Sequence, residues 1–134
     1  MMRLLILHGP NMNLFGIRSA KRKQTITLDK INRHIRRFIR DKNLEIKIIQ
    51  THSESKAVSY IQRNRKKIDG MIITPGPWDF SGYILLELLN LIDMDHIIIN
   101  IEDNKKNNLF KNSTIIYNTD IFKSFEEAIE QYVS

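Results

Sequence analysis

No cysteine occurs in the chain, which excludes a disulfide framework, a thiol nucleophile and a thiolate metal site and fits a cytoplasmic setting. No stretch approaches the ~20 apolar residues that a membrane span requires. The apolar run behind Met1-Met2-Arg3 ends at His8. It is too short for the core of a secretory leader and has no small-residue cleavage site after it, so it reads as structure. Glycine is scarce, five in all, and none forms a phosphate-binding run. Gly9-Pro10-Asn11 has one glycine and no Lys-Ser or Lys-Thr behind it. The four histidines, His8, His34, His52 and His96, share no ligand spacing with carboxylates, so no metal site is expected.

Basic charge, by contrast, is plentiful and uneven. The chain has 134 residues and a net charge of +6, yet the segment from Arg18 to Lys42 alone carries ten basic residues against Asp29 and Asp41. Such a stripe meets nucleic acid, an acidic partner or an anionic metabolite, or is simply a solvated helix face. A length of 134 residues suits one domain with one core.

Leu4-Leu5-Ile6-Leu7 is continuously apolar, as expected of a strand covered on both faces. Residues 9–26 follow neither period and are predicted as a long loop. From Thr27, Leu28, Ile31, Ile35, Phe38 and Ile39 share one helical face, while Arg33, Arg36, Arg37 and Arg40 take the other. Further strands are predicted over residues 44–49, 71–73, 97–99 and 114–117. Helices are predicted over residues 53–67 and 80–92. A last helix opens on Ser124-Phe125-Glu126-Glu127, a capping-box pattern, with Phe125, Ala128, Ile129, Tyr132 and Val133 inward. The alternation predicts an α/β fold: a flavodoxin-like, doubly wound, five-stranded parallel sheet with about four helices. Ligands of such sheets bind beyond the carboxyl ends of the strands, here residues 9–26, 50–54, 74–81 and 100–111.

The first of these loops reads Gly9-Pro10-Asn11-Met12-Asn13-Leu14-Phe15-Gly16-Ile17-Arg18. Asn11 and Asn13 offer amides to a ligand or shape the loop through their own backbone. The ten positions in order, straight after the first strand, resemble the opening of the type II 3-dehydroquinate dehydratases. Thr27-Leu28 stands where that family has Thr-Leu. The likeness continues through Gln50, Glu54, the Gly70 to Gly76 stretch and Phe110, and the C-terminal part matches by pattern only.

The resemblance implies trans-dehydration of a cyclic polyhydroxy keto-acid by acid–base groups alone, with no cofactor. A lid Tyr, kept ionised by an Arg, takes the proton beside the ketone. An Asn-held water steadies the enolate, and a His protonates the departing hydroxyl. Asn11 falls on that Asn and Arg18 on that Arg. The Tyr, however, falls on Lys23, with no Tyr before Tyr60, and the His falls on Asn100. The amides that hold the substrate carboxylate belong to Ile101 and Glu102, a Glu where Ser is usual. The ring-binding His beyond Gly76 becomes Phe80. An Arg becomes Lys111, an Asp of the third helix becomes Glu87, and a His-Glu pair becomes Ser53-Glu54. Lys23, or another member of Lys21-Arg22-Lys23, is a candidate base or Schiff-base former, against a solvated lid lysine. Trp78 and Asp79 are expected to bind a ligand ring or to pack on a neighbouring subunit.

The expected function is therefore that of a divergent homologue, not an efficient dehydratase, that binds or acts on a small anionic molecule. One alternative is a working dehydratase with a rebuilt acid–base set. Another is a scaffold that binds nucleic acid or an acidic partner through its basic first helix, although no aromatic residue shares that face for base stacking. The resemblance also implies a homo-oligomer, a trimer or dodecamer, to which the apolar third helix is suited.

Overall fold

The structure, a computed structural model, describes residues 1–101 and 107–133. Five strands, Met2–His8 (β1), Leu44–Gln50 (β2), Gly70–Thr74 (β3), His96–Ile99 (β4) and Thr114–Ile116 (β5), form one parallel sheet in the order β2-β1-β3-β4-β5. This is the flavodoxin-like order, with its switch point between β1 and β3. The helices are Phe15–Ala20 (α1), Leu28–Phe38 (α2), Glu54–Asn64 (α3), Trp78–Ser81 (α4), Tyr83–Leu91 (α5) and Ile121–Val133 (α6).

Strand side chains alternate between faces, and the central strands are apolar on both. Leu4, Ile6 and Ile72 pack on one side with Ile31 and Ile35 of α2 and Phe125, Ala128 and Ile129 of α6. Leu5, Leu7, Met71 and Ile73 pack on the other with Ala57 and Ile61 of α3 and Leu85, Leu88 and Leu89 of α5. The two clusters explain the continuous apolar strands. The arginines of α2, Arg33, Arg36 and Arg37, face solvent.

Among the described residues six α-helices stand where about four were expected. Residues 9–26 are not all loop. A 3-10 turn over Met12–Leu14 leads into α1, which is too short to show a period but is anchored by buried Phe15 and Ser19. The single helix expected over residues 80–92 is broken at Gly82. A Cβ there would lie 2.7 Å from the Trp78 carbonyl oxygen, so the chain turns where only glycine fits. The last helix starts at Ile121, not at Ser124. Its cap is Asp120, whose Oδ1 accepts from the backbone N–H groups of Phe122 (2.9 Å) and Lys123 (3.3 Å). Ser124 is buried inside the helix and donates back to the Asp120 carbonyl at 3.1 Å. Tyr132 is half-buried as expected, but Val133 is exposed.

Candidate functional site

The carboxyl ends of β1, β3 and β4 surround a cleft of about 350 Å³, lined by Pro10, Asn11, Arg18, residues 75–77, Asp79, Phe80, residues 99–101 and Asn107. Its rim is set by close backbone approach. The N–H of Gly9 donates to the Thr74 carbonyl at 2.9 Å, and a Cβ on Gly9 would meet that oxygen and the Pro75 carbonyl at 2.8 Å. Glycine at this position lets the first loop cross the end of β3. Gln50 Nε2 donates to the Gly9 carbonyl at 3.2 Å, and the Asn11 N–H donates to His52 Nδ1 at 3.2 Å. These two contacts hold Asn11 in a left-handed backbone conformation, φ 69°, which asparagine tolerates better than most residues.

A second cleft of about 480 Å³ adjoins the first and shares Arg18, Asn100 and Ile101 with it. It runs between α1 and the loop from β5 to α6. The two clefts meet at a hydrogen-bonded trio. Asn107 Oδ1 accepts from Asn100 Nδ2 at 3.0 Å and from the Tyr117 hydroxyl at 3.0 Å.

Asp79 holds the wall of the first cleft. It is buried, its Oδ2 accepts from the Asn108 N–H at 2.9 Å and its Oδ1 from the Phe110 N–H at 3.1 Å. The Leu109 N–H donates to the Asp79 carbonyl oxygen at 2.9 Å. Asp79 thus pairs a turn that has no regular structure of its own. Trp78 is buried in the core under the Gly9 crossing. Within the chain, then, Trp78 packs in the core and Asp79 pairs the turn behind the cleft that it also lines.

Of the residues expected at the site, Asn11, Arg18, Gly76, Phe80, Asn100 and Ile101 are brought together in the first cleft. Glu102 lies outside the described residues. Asn13 is exposed in the 3-10 turn and lines neither cleft. Glu54 points elsewhere: its Oε2 accepts from the Leu85 N–H at 2.9 Å and so caps α5. Glu87 sits on the outward face of α5 beside Tyr83, Leu86, Asn90 and Leu91. Lys111 is exposed on the turn behind Phe110 and is absent from both linings.

Lys23 does not line either cleft. It ends α1 in the left-handed conformation, φ 60°, with its N–H bonded to the Ala20 carbonyl (3.0 Å) and the Gln24 N–H bonded to the Ser19 carbonyl (2.9 Å). This is a Schellman stop with lysine in the usual glycine position, and it leaves the Lys23 side chain exposed. Its neighbour Arg22 lines the second cleft instead. Tyr117, Asn118 and Thr119 line the second cleft as well and were not among the residues expected at the site. The signal was available, because β5 runs parallel to β4 and its carboxyl end must open on the same edge of the sheet.

Among the described residues no group of three or more His, Asp or Glu is placed to hold a metal ion, and no helix is long and apolar enough to cross a membrane. The sequence profile of the class II dehydroquinases matches residues 2–126. The chain belongs to the class II dehydroquinase family. Among relatives, the 3-dehydroquinate dehydratase of Halothermothrix orenii is 28% identical over 116 residues, 87% of this chain and 78% of that protein. That of Geotalea daltonii is 33% identical over 88 residues, 66% of this chain and 61% of that protein. The type II dehydroquinase of Propionibacterium acnes has a similar structure, with a TM-score of 0.85 at 20% identity, covering 99% of this chain and 97% of that one. A dehydroquinate dehydratase-like protein of Bifidobacterium longum is also similar, with a TM-score of 0.67 at 13% identity over the whole of both chains. At such identities these structures speak for the fold, and the dehydroquinase membership rests on the sequence.

Proposed function

We propose that this chain is a divergent dehydroquinase that binds a small anionic molecule in the first cleft and does not dehydrate 3-dehydroquinate efficiently. The supporting observation is the mismatch between a preserved cleft and its acid–base groups. Asn11, Arg18 and Gly76 line the cleft, while Asn100 takes the place implied for the proton donor and donates its amide to Asn107. A carboxamide is far too weak an acid to protonate a departing hydroxyl near neutral pH, and the lysine at the place implied for the Tyr base ends a helix away from the cleft. Each missing acid or base typically removes about 10²–10⁴-fold of rate. Arg18 would still supply charge-assisted hydrogen bonds to a carboxylate.

The test is purified protein with 3-dehydroquinate, following dehydroshikimate by absorbance beside a thermal-shift titration. The expected result is no product above the uncatalysed background, with substrate-dependent stabilisation lost in Arg18→Ala. Turnover that Asn100→Ala or Lys23→Ala abolishes would overturn the reading. One observation favours a second reading, a working dehydratase with a rebuilt set of groups: the Tyr117 phenol stands one hydrogen bond from the oxygen that Asn100 contacts. Turnover lost in Tyr117→Phe would select it.

We further propose that copies of the chain associate through α5. Phe80, Tyr83, Ile84 and Leu91 are each more than 60% exposed, and contiguous apolar surface of this kind marks an interaction site.

A further inference from the structure

The sheet ends at β2, which pairs with β1 over its whole length, from Met2↔Leu44 to His8↔Gln50. An edge strand presents a row of unpaired backbone groups, which proteins commonly blunt with a proline, a bulge or a very short strand. β2 has seven residues, no proline and no interruption of its register. Beyond it, the Thr51 N–H donates to the His8 carbonyl at 3.1 Å. Successive residues of a strand in a parallel ladder turn their backbone groups to alternate sides. Those of Glu45, Lys47 and Ile49 therefore turn to β1, and those of Leu44, Ile46 and Ile48 turn to the open side. The Leu44 N–H is taken by the Lys42 carbonyl at 2.9 Å. Among the described residues no backbone group pairs with Ile46 or Ile48 on that side.

The side chains of this edge match a copy of itself. Ile46 and Ile48 pack on the α2 side of the sheet but stay half-buried, whereas their β1 neighbours Leu4 and Ile6 are 2% and 0% exposed. Glu45 and Lys47 are exposed on the opposite face. Arg3, beside Glu45 on β1, is already bonded to Asp69 at 3.3 Å. In a two-fold antiparallel pair each residue faces the one equally far beyond the axis. An axis at Glu45 or at Lys47 sets that residue against its own like charge, which is destabilising. An axis at Ile46 sets each Glu45 against the partner's Lys47, and each Leu44 against the partner's Ile48. It also brings open-side backbone groups together. The two Ile46 residues exchange both bonds, and the Ile48 N–H meets the partner's Leu44 carbonyl.

We propose that β2 joins the β2 of a second copy in this register, making one continuous sheet across the two chains. One face of the junction is apolar, and the other carries a Glu45–Lys47 pair on each side of the axis. Complementarity of an edge to itself is what an isologous interface requires, and it selects a copy of this chain over a foreign strand. The proposal rests neither on the ligand of the first cleft nor on association through α5.

The test is sedimentation equilibrium on the full chain carrying Ile84→Lys and Leu91→Glu, which takes α5 out of use. A dimer is expected at submillimolar protein. In that background Glu45→Lys alone and Lys47→Glu alone are each expected to weaken the dimer about tenfold, since both facing pairs become like-charged. An equimolar mixture of the two variants is expected to recover it, because each meets opposite charge in the other. Amide exchange at Ile46 and Ile48 is expected to slow with rising concentration, more than at Lys47, whose N–H is turned to β1. The proposal is overturned if the α5-substituted chain stays monomeric, if the mixture associates no better than either variant alone, or if Ile46 and Ile48 exchange at a rate independent of concentration. Dimers of equal mass for the natural and the α5-substituted chains would remove the α5 contact and leave the β2 pair standing.

Discussion

The surroundings of His8 make stability depend on pH. The residue is buried at the end of β1, with Nε2 3.0 Å from Asn32 Oδ1 and Nδ1 3.2 Å from Thr74 Oγ1. A neutral ring with its proton on Nε2 satisfies both contacts, with the Thr74 hydroxyl donating to Nδ1. Burial pushes its pKa from 6.5 down to about 4, and the contact to Asn32 opposes that only in part. The unfolded chain therefore binds the proton more readily than the folded one. Stability contributed by the neutral ring is fully present above pH ~6.5 and is lost as pH falls toward about 4, on the order of 3 kcal/mol in total. Urea denaturation across that range should show the loss, and His8→Gln should flatten the slope; an unchanged slope would remove His8 as its source. The Asp69 carboxyl, held below the usual range chiefly by its hydrogen bond from Arg3, would respond only at lower pH.

At the scale of elements, the site depends on turns that are paired by side chains rather than by sheet or helix. Asp79 in α4 gathers the N–H groups of Asn108 and Phe110, and through that turn it sets the position of Asn107 on the cleft wall. Replacing a buried carboxylate that accepts two such bonds strands both donors. Asp79→Ala should cost on the order of 3 kcal/mol by urea denaturation. It should also weaken ligand stabilisation, while Asp79→Asn, which keeps one acceptor oxygen, should fall between. Elsewhere the legible parts were the periodic ones. The face of α2 and the five strands followed from spacing, whereas the caps at Thr27 and Ser53, whose side chains accept from the Lys30 and Lys56 N–H groups, are findings of the structure. The cap of α6 was misplaced because Ser124 and Glu127 imitate a capping box, while Asp120 four residues before Ser124 belongs to a turn that buries Ile121. Spacing alone does not choose between two polar residues that both precede an apolar face.

For the molecule as a whole, the unburied surface is as informative as the core. Phe80, Tyr83, Ile84 and Leu91 face outward from α4 and α5 while Leu85, Leu88 and Leu89 face inward, so α5 is apolar on both sides. An apolar helix whose outer side chains are left exposed among the described residues is suited to meet a second copy. Light scattering on the purified chain should report an oligomer, and Ile84→Lys with Leu91→Glu should shift it to a smaller species with the folded spectrum kept. A monomeric natural chain at working concentration would dismiss this use of the face.

The sequence by itself determined the sheet, the helical faces of α2 and the later helices in outline, the family and the motif from Gly9 to Arg18. Each of these is written in local order, as a period of apolar residues or as an unbroken motif, and local order survives without knowledge of the fold. Tertiary structure decided which side chains share a space. Glu54 went to the end of α5 because the Leu85 N–H needed an acceptor there. Lys23 went to solvent because the chain needed a left-handed stop, and Arg22 took the wall instead. Tyr117, more than ninety positions beyond Arg18 along the chain, came to the same cleft because β5 lies parallel to β4. Proximity across a parallel sheet depends on strand order and register, and neither quantity is carried by any short stretch of residues.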